Sequence, residues 1–321
     1  MSDLSDDILQ GILLHLRSTR AAARTSALSR RWRRVWANLP NLVLAEDVIH
    51  HRASFLDTVD AALAAYTAAP PVRLDALNIT VPYTCQNVPG HRVAAWLLFA
   101  SRRLAGELHL WVPMDCRFVH TPPQDEIDLP PLERATGMNL VLSKRFLLRP
   151  LPAGEFAALA DLNISGATLD ARALEVLVSS QCPRLEKLTL MVVTLVSDSD
   201  VCISSASLRR LTYSVWKTHH LSVAAPNLEE LRASNVADIH VAAPNLAELN
   251  PGSIWKFVFA DAVPHLRLLD AAHWSVVAPL IPWFDTVDEL RLRAPVVRLH
   301  ALSPLYSIYS PFDQSMSSVD G

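Results

Sequence analysis

The sequence predicts an α/β chain of two unlike parts: a small all-helical unit at the N-terminus, followed by a solenoid of short leucine-anchored repeats built on a parallel sheet. Two observations carry this expectation. Apolar residues fall at helical spacing from Met1 to Leu42, and beyond Leu42 segments of the form apolar-x-x-Leu-x-apolar recur at a short, near-regular interval. A third fact makes it feasible: half of the 321 residues are hydrophobic, enough to bury a large core.

In "LSDDILQGILLHL" the residues Ile8, Leu9, Ile12, Leu13 and Leu16 lie along one helix face. Ser5 is placed to cap that helix, with Asp6 and Asp7 in the first turn, where the helix dipole favours negative charge. "RSTRAAARTSALSRRWRRVWANLP" continues at helical spacing. It puts Ala21, Thr25, Leu28, Trp32, Val35 and Trp36 on one side and Arg30, Arg31, Arg33 and Arg34 on the other, and Pro40 marks its end. A unit this small leaves apolar surface that it cannot bury within itself, so the surface asks for a partner.

The repeats follow. "LADLNI", "LEKLTL", "LRRLTY", "LEELRA", "LAELNP", "LRLLDA" and "VDELRL" carry the anchors Leu162, Leu188, Leu211, Leu231, Leu249, Leu269 and Leu290, with successive spacings of 26, 23, 20, 18, 20 and 21. "AAPNLEEL" from Ala224 and "AAPNLAEL" from Ala242 are near copies. This period predicts a leucine-rich solenoid with one strand per repeat. Weaker members at "LDALNI", "GELHLW" and "NLVLSK", anchored on Leu77, Leu108 and Leu140, are spaced widely enough for a helix between strands, for which "VAAWLLFASRRL" is suited.

The expected boundaries are a helical domain over residues 1–42, a helical linker over 43–71, the solenoid over 72–300 and an irregular tail over 301–321. His50 to Tyr66 reads as the linker helix, and His120 to Pro131, with its prolines, as a loop.

Composition narrows the function classes. The overall net charge of −3 hides an asymmetry, because Met1 to Leu42 holds seven arginines against three aspartates, a net +4 that leaves −7 for the rest. Nucleic-acid binding through the Arg-rich segment would need its aromatics beside the basic residues, yet Trp32 and Trp36 share the face of Leu28 and Val35. Membrane-surface binding is opposed by Asp3, Asp6 and Asp7. "VAAWLLFA" is far short of the ~20 residues a membrane span needs. The acidic start "MSDLSDDILQ" shows no secretory signal. Cys85, Cys116, Cys182 and Cys202 form no C-x-x-C pair and suit reduced thiols, so an intracellular location in nucleus or cytoplasm is expected and the sequons at Asn78 and Asn163 carry no weight.

The adjacent pairs His50/His51 and His219/His220 point to opposite sides of a strand and read as surface histidines rather than metal ligands. No phosphate loop, G-x-S-x-G elbow or H-E-x-x-H is present, so no catalytic residue, metal or cofactor is assigned. Trp255, Phe257, Phe259, Trp274, Trp283 and Phe284 crowd the last repeats and read first as core, with a substrate grip as the alternative.

"LSDDILQGILLHL" followed by "RTSALSRRWRRVWANLPNL" closely resembles the F-box of plant F-box proteins carrying leucine-rich repeats, including their FBD-type relatives. The resemblance implies a non-catalytic substrate-recognition adaptor. Its F-box would dock on the Skp subunit of a Skp-cullin-F-box ubiquitin ligase, bringing in cullin and RING subunits, while the repeats take the protein to be ubiquitinated. The implied adaptor contacts are Leu4, Ile8, Leu9, Ile12, Leu13, Leu16, Leu28 and Trp32. The resemblance also breaks the Arg-rich helix near Ala27 to Ser29. The chain departs from the family where Ser5, and Arg17 and Ser18, stand in place of prolines, and it ends soon after Leu290, so the array is expected to lack a closing cap. The alternative reading is a leucine-rich scaffold acting outside any ligase.

Overall fold

The computed structural model describes residues 40–45, 52–68, 73–85, 87–113, 123–252, 254–260, 263, 265–271 and 289–292. The helical unit expected over residues 1–42 therefore lies, but for its last three residues, outside the described residues, as does the tail over 301–321.

In chain order the first elements are β1 (Asn41–Ala45), α1 (Arg52–Ala68), β2 (Leu74–Thr80), α2 (Gly90–Arg103), β3 (Leu104–Trp111), β4 (Asp125–Leu129), β5 (Gly137–Val141) and β6 (Phe146–Pro150). Next come β7 (Asp161–Ser165), β8 (Thr168–Leu169), α3 (Ala171–Val176), β9 (Lys187–Ser204), β10 (Arg210–Ala224) and β11 (Glu230–Ala242). The last are β12 (Glu248–Pro251), β13 (Ile254–Phe259), β14 (Leu268–Ala271) and β15 (Glu289–Leu292).

The main path of the parallel sheet runs β1-β2-β3-β5-β7-β9-β10-β11-β12-β14-β15. Its register is the one the leucines spell. Leu162 pairs with Leu188, Leu188 with Leu211, Leu211 with Leu231, Leu231 with Leu249, Leu249 with Leu269 and Leu269 with Leu290. Each of these leucines from Leu162 to Leu269 is buried, a continuous spine in which one side chain contributes up to about 1.5–3 kcal/mol of transfer energy. Leu77 pairs with Leu108 as expected, but the partner of Leu108 is Met138, while Leu140 pairs with Leu110. A two-residue offset keeps the same face of a strand, so alternation alone does not separate these registers.

Three features differ from the sequence expectation. First, the stack begins ahead of Val72, because β1 pairs with β2 and sets Leu42 beside Leu77. The helix in the supposed linker is then the return leg of the first coil. Its Phe55, Val59, Leu63 and Tyr66 are buried on one face, and it is tied to α2 by Arg92, which reaches Asp57 at 2.8 Å and Asp60 at 3.0 Å, and by Trp96 Nε1, which donates to Asp60 at 2.8 Å. Second, Asp125–Leu129, inside the stretch read as a loop, is strand β4, with Ile127 and Leu129 buried and Glu126 and Asp128 exposed.

Third, the later coils have two strands each rather than one. β4, β6 and β8 form a second parallel row that joins β9, the long strands β9, β10 and β11 run through both rows, and β13 pairs with the second half of β11. A repeat of about 20 residues is too short for strand, helix and two turns, and "LSVA" and "IHVA" alternate with period two, burying Leu221, Val223, Ile239 and Val241. In the coils of β7, β9, β10 and β11 the turn between rows is made by one residue in the left-handed region: Gly166 (φ 76), Val192 (φ 56), Lys217 (φ 67) and Asn235 (φ 60). Asn235 Nδ2 donates to Ser214 Oγ of the preceding coil at 3.0 Å.

The near-copy "AAPNL" is the other corner. Leu228 N donates to Ala225 O at 3.1 Å and Leu246 N to Ala243 O at 3.1 Å, each closing a turn with proline at its second position. The turn asparagines stack the coils: Asn227 Nδ2 donates to Ala206 O at 2.8 Å and Asn245 Nδ2 to Pro226 O at 2.9 Å. At the rim of the first coils Gly106 is required by contact, since a Cβ there would sit 2.0 Å from the Asp75 carbonyl oxygen. Among the described residues no helix is long and apolar enough to cross a membrane.

Candidate protein-recognition face

Alternation along the main path leaves one face of the sheet unburied. Its central row comprises Asn78, His109, Asn139, Asn163, Thr189, Thr212, Arg232 and Asn250, one residue after each inward anchor and aligned by register. The two sequons are part of it. Asn78 accepts from Thr80 Oγ1 at 2.9 Å and Asn163 from Ser165 Oγ at 3.1 Å, pairs two residues apart on one side of a strand. Asn139 Nδ2 lies 3.0 Å from His109 Nδ1 and donates to it, which leaves the imidazole proton on Nε2. Burial pushes the His109 pKa below the usual value, favouring the same neutral ring. One row earlier, Lys187 and Asp161 on neighbouring strands pair at 2.8 Å.

Where these strands end, the surface turns apolar and aromatic. Tyr83, three-quarters exposed, meets Trp111 edge-on at a centroid distance of 4.6 Å. Further along, Met191, Val192, Val196 and Trp216 are exposed near the corner, and Lys144 stands 6.0 Å from the Trp216 ring centroid. A polar sheet face edged by exposed aromatics and cations is suited to gripping a polypeptide, because large rigid rings beside charged groups concentrate binding energy.

The eight residues expected to contact an adaptor, Leu4, Ile8, Leu9, Ile12, Leu13, Leu16, Leu28 and Trp32, all lie outside the described residues. Of the aromatics in the last repeats, Phe259 is buried and Phe257 packs half-buried against the core, 4.8 Å from it between centroids. The Trp255 side chain and all of Trp274, Trp283 and Phe284 lie outside the described residues. Among the described residues the exposed aromatics are Tyr83 and Trp216, which sequence reasoning passed over. For Trp216 the signal was present: Tyr213 and Val215 alternate inward, so Trp216 must point out. Of the histidine pair, His219 is exposed and His220 contacts His240 at 5.7 Å between centroids. Among the described residues no three His, Cys, Asp or Glu side chains converge on a possible metal position.

The coil architecture and its open face can be set beside known proteins. A family model described as FBD-associated F-box protein At5g56370, LRR repeats, matches residues 93–250, from α2 to β12. Among curated proteins, the F-box/LRR-repeat protein At3g58900 of Arabidopsis thaliana is 29% identical over 248 residues, covering 71% of this chain and 70% of that one. The chain is similar to plant F-box/leucine-rich-repeat proteins, and its repeats carry the likeness. Two further Arabidopsis thaliana relatives extend the likeness. The F-box protein At3g59000 is 30% identical over 233 residues, 66% of this chain and 43% of its own length. The F-box/LRR-repeat protein At3g03360 is 24% identical over 327 residues, 97% of this chain and 62% of its own length. The chain thus spans about two-fifths to two-thirds of the length of several relatives it matches. No solved structure matches it.

Proposed function

We propose that the chain is a non-catalytic substrate-recognition adaptor of a Skp-cullin-F-box ubiquitin ligase, acting in the nucleus or cytoplasm. The observation that carries the proposal is the union, in one chain, of the "LSDDILQGILLHL" and "RTSALSRRWRRVW" segments with a solenoid that presents an unburied polar face edged by Tyr83, Trp111 and Trp216. Relatives named as F-box and F-box/LRR-repeat proteins support it. The N-terminal segment docks on the Skp subunit through Leu4, Ile8, Leu9, Ile12, Leu13, Leu16, Leu28 and Trp32, and cullin and RING subunits follow through that contact. The open face holds the target protein, raising its effective concentration near the ubiquitin-charged enzyme with no catalytic group of its own.

Co-purification with a plant Skp adaptor tests this reading. The wild-type chain should associate, and Ile8→Asp with Trp32→Ala should lower affinity by orders of magnitude, since each large apolar side chain contributes about 1.5–3 kcal/mol when buried. No association of the wild-type chain would leave the alternative, a leucine-rich scaffold outside any ligase.

A further inference from the structure

Two clefts open along the edge of the sheet where the main-path strands begin, and they differ in charge balance. The larger, about 860 Å³, sits at the later coils and sets Arg209, Arg210 and Arg267 among Glu186, Glu229, Glu230 and Glu248. Its charges answer one another, with Arg209 bonded to Glu229 at 2.9 Å. The smaller, about 470 Å³, sits at the first coils and is lined by Arg73, Arg102, Arg103 and Arg134, with Glu133 as its one carboxylate among the described residues. Among the described residues none of these four arginines forms an ion pair.

We propose that this smaller cleft is a binding site for a phosphate-bearing anion. Arg102 and Arg103 belong to the last turn of α2, and the helix dipole accounts for part of their presence. It does not account for Arg73, just ahead of β2, or for Arg134, in the turn ahead of β5, which come to the same cleft from separate coils. Arg103 is held in place by donating Nη2 to the Thr67 carbonyl at 3.1 Å, while its Nη1 is buried without a hydrogen-bond partner among the described residues. A buried donor left unsatisfied is unfavourable, and so is like charge gathered from three coils, unless an acceptor with negative charge enters. Guanidinium forks match phosphate oxygens two at a time, and the cleft volume falls in the range of roughly 300–1,000 Å³ typical of small-ligand sites. The site is independent of adaptor docking.

The test titrates the full chain by calorimetry, at about 0.15 M salt to screen diffuse attraction, with pyrophosphate and separately with a phosphoserine peptide of otherwise uncharged sequence. Saturable binding of either supports the site, and the tighter of the two shows whether the phosphate is free or peptide-borne. Arg73→Ala with Arg134→Ala, both exposed and outside the core, should weaken binding about tenfold or more. Arg209→Ala with Arg267→Ala at the other cleft should change it by less than about twofold, and Arg103→Lys, which keeps charge but loses the fork, should weaken it several-fold. No saturable binding by either probe, an equal loss in the Arg209/Arg267 variant, or an aspartate-rich peptide binding as tightly as the phosphopeptide would each overturn the proposal. Because the readout involves no Skp subunit, failure here leaves the ligase reading intact, and the reverse holds.

Discussion

The coils from β1 to β3 and those from β9 onward share one spine but return to it differently. Leu42, Leu77 and Leu108 stand far apart in the chain, and the long connections between them return through α1 and α2. Leu211, Leu231 and Leu249 follow one another much more closely, and the short connections between them return as a second strand. The step from β7 to β9 is intermediate in length, and there the helix has shrunk to the six residues of α3 with one π-helical turn after it. Repeat length alone does not set what covers the spine, since the step from Leu108 to Met138 is nearly as long as that from Leu77 to Leu108 yet carries the strand β4. A helix covers it with a broad apolar face and tolerates small shifts by rolling, whereas a strand covers it with alternate side chains and tolerates no shift of one.

That contrast can be broken most forcefully by insertion. One alanine added between Val236 and Ala237 moves Ile239 and Val241 from the core to the surface, and loss of two buried side chains should lower stability by about 3–6 kcal/mol. The same insertion between Ser197 and Asp198, exposed and in a stretch where β9 and β10 already slip register, should change it by less than about 0.5 kcal/mol. Denaturant midpoints followed by circular dichroism compare the two directly, and equal effects would refute the strand-return account. A smaller effect is expected at the left-handed corners. Asn235→Val places a β-branched residue at φ 60 and removes the bond to Ser214, a loss of about 1–3 kcal/mol, while Val192→Asn relieves a valine at φ 56 and should gain about 1 kcal/mol in the same assay.

The smallest effect is one of pH and belongs to the earlier coils. His109 has a folded-state pKa below the value of about 6.5 for an unfolded histidine, so the native state binds fewer protons there. Its contribution is fully present above that value, is lost as pH falls below it, and levels off beneath the folded pKa. His109→Gln should therefore flatten part of the fall in urea midpoint between about pH 7.5 and 5. An unchanged slope would show that the ring is not held neutral.

How far this architecture could be read from residues alone depended on which signal carried it. Leu162, Leu188, Leu211, Leu231, Leu249, Leu269 and Leu290 are spelled by a repeated pattern, and the register follows them residue for residue. The second strand row was hidden because "LSVA", "IHVA" and "DEIDL" are short and lie between stronger signals, so their alternation was absorbed into turns and loops. β1 was hidden for another reason: a short strand just after a proline makes no repeat until Leu42 is seen beside Leu77. The open face was legible only as polarity. Its aromatic edge depends on where each coil turns from one row to the other, and those corners are set by residues such as Val192 and Lys217, which sequence propensity does not favour at positive φ.

The proline–asparagine corners bear on how such a molecule can grow. Asn227 reaches back to the coil before it and Asn245 does the same, so each corner presents to the next coil the carbonyl that it takes from the previous one. A duplicated segment running from one "AAPNL" copy to the next would find both of its bonds waiting. Gaining or losing one in the gene would lengthen or shorten the open face by about 4.8 Å without redesigning either neighbour, a modular route to new specificities.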